Sequence, residues 1–131
     1  MTNFVLDASA GFELLFETPI GLKLQRLLPT SAEWWVPEHY YVEVSGILRR
    51  AELNNVFPLA RVQRAFDRLA ASPIHRVQVR PLLADAWAKR HNITIADAIY
   101  VALAEHIGAT LVTGDIKLAN TPNLLVPTIH P

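Results

Sequence analysis

Cysteine is absent from this chain, which excludes disulfides and thiolate metal sites and fits a reducing compartment. Surplus charge is absent as well. Twelve Lys and Arg face twelve Asp and Glu, so wholesale coating of nucleic acid is disfavoured, although a local basic patch is still open. No apolar run approaches the roughly 18–20 residues of a membrane span. The first residues, MTNFVLDASAG, carry no basic n-region, and Asp7 interrupts their apolar run, so they make a poor signal peptide. These absences lead to the expectation of a cytoplasmic protein. Internal repeats, low-complexity tracts and a linker long enough to separate domains are also missing. What is present is 131 residues, 51% hydrophobic, enough for one domain spanning 1–131 with a real core.

Short continuous apolar runs alternate with helical periodicity. Phe4-Val5-Leu6 reads as a buried strand ending at Asp7, followed by a helix with Ser9 as cap and Phe12, Leu15 and Phe16 on one face. Thr18-Pro19 opens a second helix with Ile20, Leu24, Leu27 and Leu28. Trp34-Trp35-Val36 is a second strand whose tryptophans straddle the sheet. A helix from about Glu38 to Leu53 carries Tyr40, Val44, Ile47, Leu48 and Ala51 inward, with Glu43 at the border of that stripe. Pro58 starts a helix with Leu59, Val62, Phe66 and Leu69 inward. Ile74 to Val79 reads as a third strand, Pro81 to His91 as a helix, Leu111-Val112 as a fourth strand and Leu124-Leu125-Val126 as a fifth. This alternation implies an α/β fold, a mainly parallel sheet covered by helices on both faces. Ligands of such folds bind beyond the carboxyl ends of the strands.

Four acids fall where they can meet at that end. Asp7 follows the first strand, and Asp115 follows the fourth in a Thr-Gly-Asp turn. Asp97 lies in the first turn of the apolar helix TIADAIYVALAEHI, and Glu43 lies in the second turn of its own helix. Taken singly, three have ordinary explanations. Thr94-x-x-Asp97 resembles a capping box, and Asp7 and Asp115 suit turns. Glu43 is too deep in its helix for capping. Taken together, converging carboxylates repel, by about 4 kcal/mol for two charges 4 Å apart at an effective dielectric of 20. A hard divalent cation such as Mg²⁺ or Mn²⁺ relieves this and selects oxygen ligands. The chemistry that fits is metal-assisted phosphodiester hydrolysis.

VLDASA at Val5 to Ala10, VPEHYYVEVSGILRR at Val36 to Arg50, and DAIYVALAEHIGATLVTGDIKLA from Asp97 resemble the PIN-domain ribonucleases, most closely the VapC-type toxins of toxin–antitoxin pairs. The resemblance covers essentially the whole chain. It implies a PIN-like, Rossmann-like single domain and a metal-dependent endoribonuclease with a catalytic set of Asp7, Glu43, Asp97 and Asp115. Asp7, Asp97 and Asp115 would hold Mg²⁺ (or Mn²⁺), and Glu43 could orient the attacking water. Ser9 and Thr113 match supporting hydroxyls. RNA as substrate, a homodimer and a VapB-type antitoxin blocking the acidic cleft are further implications. Two departures from the family pattern stand out. Ala96 replaces an aromatic before the third acid, and Ile116-Lys117 follow the fourth acid where some members carry another acid or amide; one firmly bound ion is therefore expected.

RNA needs positive charge near the acids. Arg50, seven residues beyond Glu43, and Lys117 are the candidate phosphate contacts. His39, His75, His91 and His106 lack metal-ligand spacing and read as ordinary histidines, and Tyr100 reads as core. Three other readings compete. A phosphoacceptor signalling domain wants an acidic pair after the first strand, which Leu6-Asp7-Ala8 lacks. A haloacid-dehalogenase-type phosphatase wants Asp-x-Asp where this chain has Asp7-Ala8-Ser9. A non-catalytic PIN-like binding module for RNA or protein is the nearest competitor.

Overall fold

The computed structural model describes residues 2–122 and 124–131. Its sheet has five strands, all parallel, in the order β3-β2-β1-β4-β5: β1 Asn3–Leu6, β2 Glu33–Pro37, β3 His75–Val77, β4 Thr110–Val112 and β5 Thr128–Ile129. The chain builds outward from β1 to β3, then returns to the other side of β1 for β4 and β5. The order therefore reverses between β1 and β4, where an α/β sheet leaves a crevice beyond its carboxyl ends. Asp7 and Asp115 follow those two strands. The register pairs Leu6 with Val112, and the Asp7 N–H donates to the Val112 carbonyl at 3.1 Å.

Seven α-helices among the described residues flank the sheet: α1 Ala8–Phe16, α2 Pro19–Leu27, α3 His39–Leu53, α4 Leu59–Ala71, α5 Leu83–Ala88, α6 Ile95–Ile107 and α7 Ile116–Ala119. Helix α6 packs on β1, β2 and β4. Every residue from Ala98 to Ala104 is buried, as its all-round apolar sequence requires. Gly108 ends it in the left-handed region at φ 65°, the usual glycine stop. Helix α1 packs against α2 and α3, and Gly11 makes its close approach to α3 possible. A Cβ at Gly11 would lie 2.8 Å from Tyr40 Cε1.

Several expectations are corrected. Asp7, not Ser9, caps α1: its side chain accepts from the Ala10 N–H. On α4 the buried face is Val62, Ala65 and Leu69, while Leu59 and Phe66 are exposed. The third strand is only His75–Val77. The helix expected from Pro81 to His91 is a single 3-10 turn, Arg80–Leu82, followed by α5. The last strand is Thr128–Ile129 rather than Leu124–Val126, because the pairing with β4 is made by Thr128 and Ile129. No helix among the described residues is long and apolar enough to cross a membrane.

Candidate active site

Asp7 is held by the turn it caps. Its Oδ1 accepts from the Ala10 N–H at 2.9 Å and from Ser9 Oγ at 2.8 Å. The carboxylate is buried, 3% exposed, and burial lifts its pKa above the usual carboxylate range against the pull of these hydrogen bonds. The negative charge of Asp97 raises it further.

Ser9 links this turn to the one after β4. Its hydroxyl accepts from the Gly114 N–H at 2.9 Å while donating to Asp7, and it lies 3.4 Å from Thr113 Oγ1. Thr113 is fully buried, and its Oγ1 accepts from the Asp115 N–H at 2.9 Å. Asp115 Oδ1 then accepts from the Lys117 N–H at 2.9 Å, capping α7. Ser9 and Thr113 thus tie the turn after β1 to the turn after β4.

Asp97 is the hub of the acids. Its backbone N–H donates to the Thr94 hydroxyl at 3.2 Å, so the expected cap is present. Its carboxyl pKa is raised, first by desolvation and then by the charges of Glu43 and Asp115, with the Thr94 hydrogen bond opposing. Two residues that read as core or ordinary in the sequence meet Glu43 here. Tyr100 donates to Glu43 Oε1 at 2.7 Å, and His39 Nε2 lies 3.0 Å from the Ala96 carbonyl oxygen and 3.5 Å from Glu43 Oε1. Burial, reinforced by the Glu43 carboxylate, lifts the Tyr100 phenol far above its ordinary range, so it stays a donor. Sequence spacing carries the signal for neither contact beyond His39 standing one turn before Glu43.

A cleft of about 540 Å³ opens beside Asp97 and Asp115 and is lined also by Arg90, His91, Thr94 and Lys117. Lys117 is therefore beside the acids. Arg50 is not among the lining residues; it is exposed in the last turn of α3, about 10 Å along the helix from Glu43 at 1.5 Å per residue. Arg90, which no sequence motif marks, is a lining residue, its guanidinium held 4.6 Å from the Trp87 ring centroid and donating to the Trp87 carbonyl.

In kind, the donor set suits a hard divalent cation. It is all carboxylate, and its members penalise one another's charge without one. Among the described residues no three acid or imidazole side chains already close around a single point.

The PIN domain family profile matches residues 4–124. The chain belongs to the PIN-domain family. This PIN domain is 35% identical to ribonuclease VapC3 of Mycobacterium tuberculosis over 115 residues, 88% of this chain and 84% of the relative. It is 35% identical to ribonuclease VapC12 of the same organism over 117 residues, 89% and 90% of the two chains. Among solved structures, it superposes on VapBC2 from Rickettsia felis with a TM-score of 0.65 at 15% identity, covering 98% of each chain. It superposes on VapC20 of M. tuberculosis with a TM-score of 0.64 at 18% identity, covering 88% of this chain and 92% of that one. At such identities the structural likeness speaks for the PIN fold.

Proposed function

We propose that this PIN domain is a metal-dependent endoribonuclease, the toxin of a VapBC-type toxin–antitoxin pair, hydrolysing RNA phosphodiester bonds at the acidic end of its sheet. The observation that carries the reading is the gathering of acids beyond the carboxyl ends of β1 and β4: Asp97 and Asp115 line one cleft, Asp7 is tied to the end of β4, and the charges of Glu43 and Asp115 raise the pKa of Asp97 as Asp97 raises that of Asp7. Relatives named as VapC ribonucleases support it.

In this reading Asp7, Asp97 and Asp115 hold Mg²⁺ or Mn²⁺, which when bound supplies positive charge against the phosphoryl oxygens and a more acidic water. Glu43 orients the attacking water and accepts its proton. Ser9 and Thr113 keep the two strand-end acids in place. Lys117, with Arg90 and His91 beside it, receives RNA phosphates; Arg50 would reach only a more distant one. The partners are a VapB-type antitoxin that covers the cleft and a second copy of this chain.

RNA cleavage with Mg²⁺ or Mn²⁺ is expected from the wild-type chain, and Asp7→Asn and Asp97→Asn should each lower it by two orders of magnitude or more, roughly the contribution of a metal-held catalytic step. Equal cleavage by wild type and both variants would sink the assignment. The open ligand shell is the one observation that favours a non-catalytic binding module instead. Calorimetric titration with Mn²⁺ separates the two, since the module has no need to bind the ion.

A further inference from the structure

Three of the four acids are fixed by their own turns. Asp7 and Asp115 accept backbone N–H groups, and Asp97 sits in the capped first turn of α6. Glu43 has no such anchor. It is the longest of the four, stands in the second turn of α3, beyond the reach of a cap, and its side chain is about one-third exposed. A free glutamate loses appreciable rotamer entropy when ordered, so a carboxylate that must meet a water at one place needs an external hold.

That hold comes from two residues that otherwise have no assignment. His39 stands four residues before Glu43 on α3, and Tyr100 three residues after Asp97 on α6, so each shares a helix face with its acid. Two bonds cross between the helices: Tyr100 donates to Glu43 Oε1 at 2.7 Å, and His39 Nε2 meets the carbonyl oxygen of Ala96, the residue before Asp97, at 3.0 Å. The two rings pack with centroids 4.6 Å apart. His39 Nδ1 is buried without a partner among the described residues. A hydrogen there would be a buried donor with no acceptor, so the hydrogen belongs on Nε2, where the carbonyl receives it. Both bonds span 57 residues of sequence and join α3 to α6 directly at the acids.

We infer that His39 and Tyr100 are positioning residues for the nuclease reaction, a clamp between α3 and α6 that holds one Glu43 oxygen and leaves the other facing the water it must activate. The inference rests on the nuclease reading proposed for this site. A merely structural tie would alter stability and leave the chemical step intact; a positioning clamp alters the step.

The test is steady-state RNA cleavage by Tyr100→Phe, which keeps the buried ring and deletes only the hydroxyl. Expected is a fall in kcat of about 10- to 100-fold, the range for losing one hydrogen bond to a charged group, with KM for RNA within about twofold. His39→Gln retains an N–H donor and should keep most of the activity, whereas His39→Leu should fall as Tyr100→Phe does. Unchanged kcat in Tyr100→Phe, or a loss confined to KM, would overturn the inference. A melting cycle needs no activity. Tyr100→Phe, Glu43→Leu, which has no acceptor for the Tyr100 hydroxyl, and the double variant should be non-additive, the double melting no lower than the worse single variant. Additive losses would remove the bond on which the clamp depends. A wild-type chain inert on RNA would defeat the nuclease reading and the clamp's catalytic role with it, while the melting cycle would still judge the clamp as a physical tie.

Discussion

Removing the Ser9 hydroxyl tests whether the site is one unit or two adjacent turns. In Ser9→Ala, Asp7 loses a hydrogen bond of 2.8 Å and the Gly114 N–H loses its acceptor at 2.9 Å. A hydrogen bond to a charged acceptor contributes about 1.5–3 kcal/mol, and a stranded donor costs about 1–3 kcal/mol. Ser9 and Gly114 are only half-buried, so water replaces part of both, and Ala10 still donates to Asp7. The net expectation is about 2–3 kcal/mol of stability. For a chain of 131 residues, at about 4 °C per kcal/mol, this is a drop of roughly 8–12 °C in melting temperature. Thermal unfolding followed by circular dichroism reads it. The loss should shrink in an Asp7→Asn background, where the acceptor is neutral. Cleavage should also fall, because Asp115 follows Gly114 directly. A Ser9→Ala protein melting within about 2 °C of wild type would refute the reasoning and make the two turns independent.

Asp7 and Asp97 have raised carboxyl pKa values when folded, with burial the leading cause. Between the ordinary carboxylate value of 3.8 and those raised values the folded chain binds more protons than the unfolded one. Their contribution to stability is thus complete below the ordinary value and lost as pH rises through the raised values. In a chelator, melting temperature should climb on acidification from neutral pH more steeply for wild type than for Asp7→Asn, and parallel curves would contradict the burial argument. RNA affinity should fall with salt, and Lys117→Gln should flatten the log–log slope by about 0.7, one single-strand phosphate contact; an unchanged slope removes Lys117 from the RNA path. Gly11→Ala drives a Cβ into the buried Tyr40 ring and should cost about 1–3 kcal/mol in urea unfolding, at an unchanged denaturant slope.

Much of this is readable from the sequence alone, for physical reasons that also mark the limit. Strands β1 and β4 are buried along almost their whole length and β2 carries half-buried tryptophans before its buried end, so all three appear as short apolar runs, and the acids beside them stand at elements with strong local signals. Thr18-Pro19 and Thr94 cap helices as spacing alone predicts. Strand β5 escapes because Thr128 and Ile129 pair at the sheet edge without an apolar run, while the more apolar Leu124-Leu125-Val126 does not pair. On α4, periodicity cannot tell that Ala65 is buried while Phe66 is 45% exposed, since size and hydrophobicity favour the opposite. The His39 and Tyr100 contacts join residues on different helices, and no local pattern encodes where α3 meets α6. Arg50 shares a face with Glu43, but two helical turns carry it away from the cleft, which Arg90 lines from the loop before α6.

The central place of β1 has a consequence for how the protein is made. Among the described strands, β1 pairs across the greatest stretch of sequence: Phe4 to Leu6 pair with Thr110 to Val112. Contacts this distant in sequence form late and slowly. Asp7 precedes Asp97 by 90 residues and Asp115 by 108, so neither can join it until that stretch of chain has been made. A nascent chain stopped before Asp97 therefore carries Asp7 and Glu43 but no complete site, so that cleavage activity is withheld from RNA during that part of its translation.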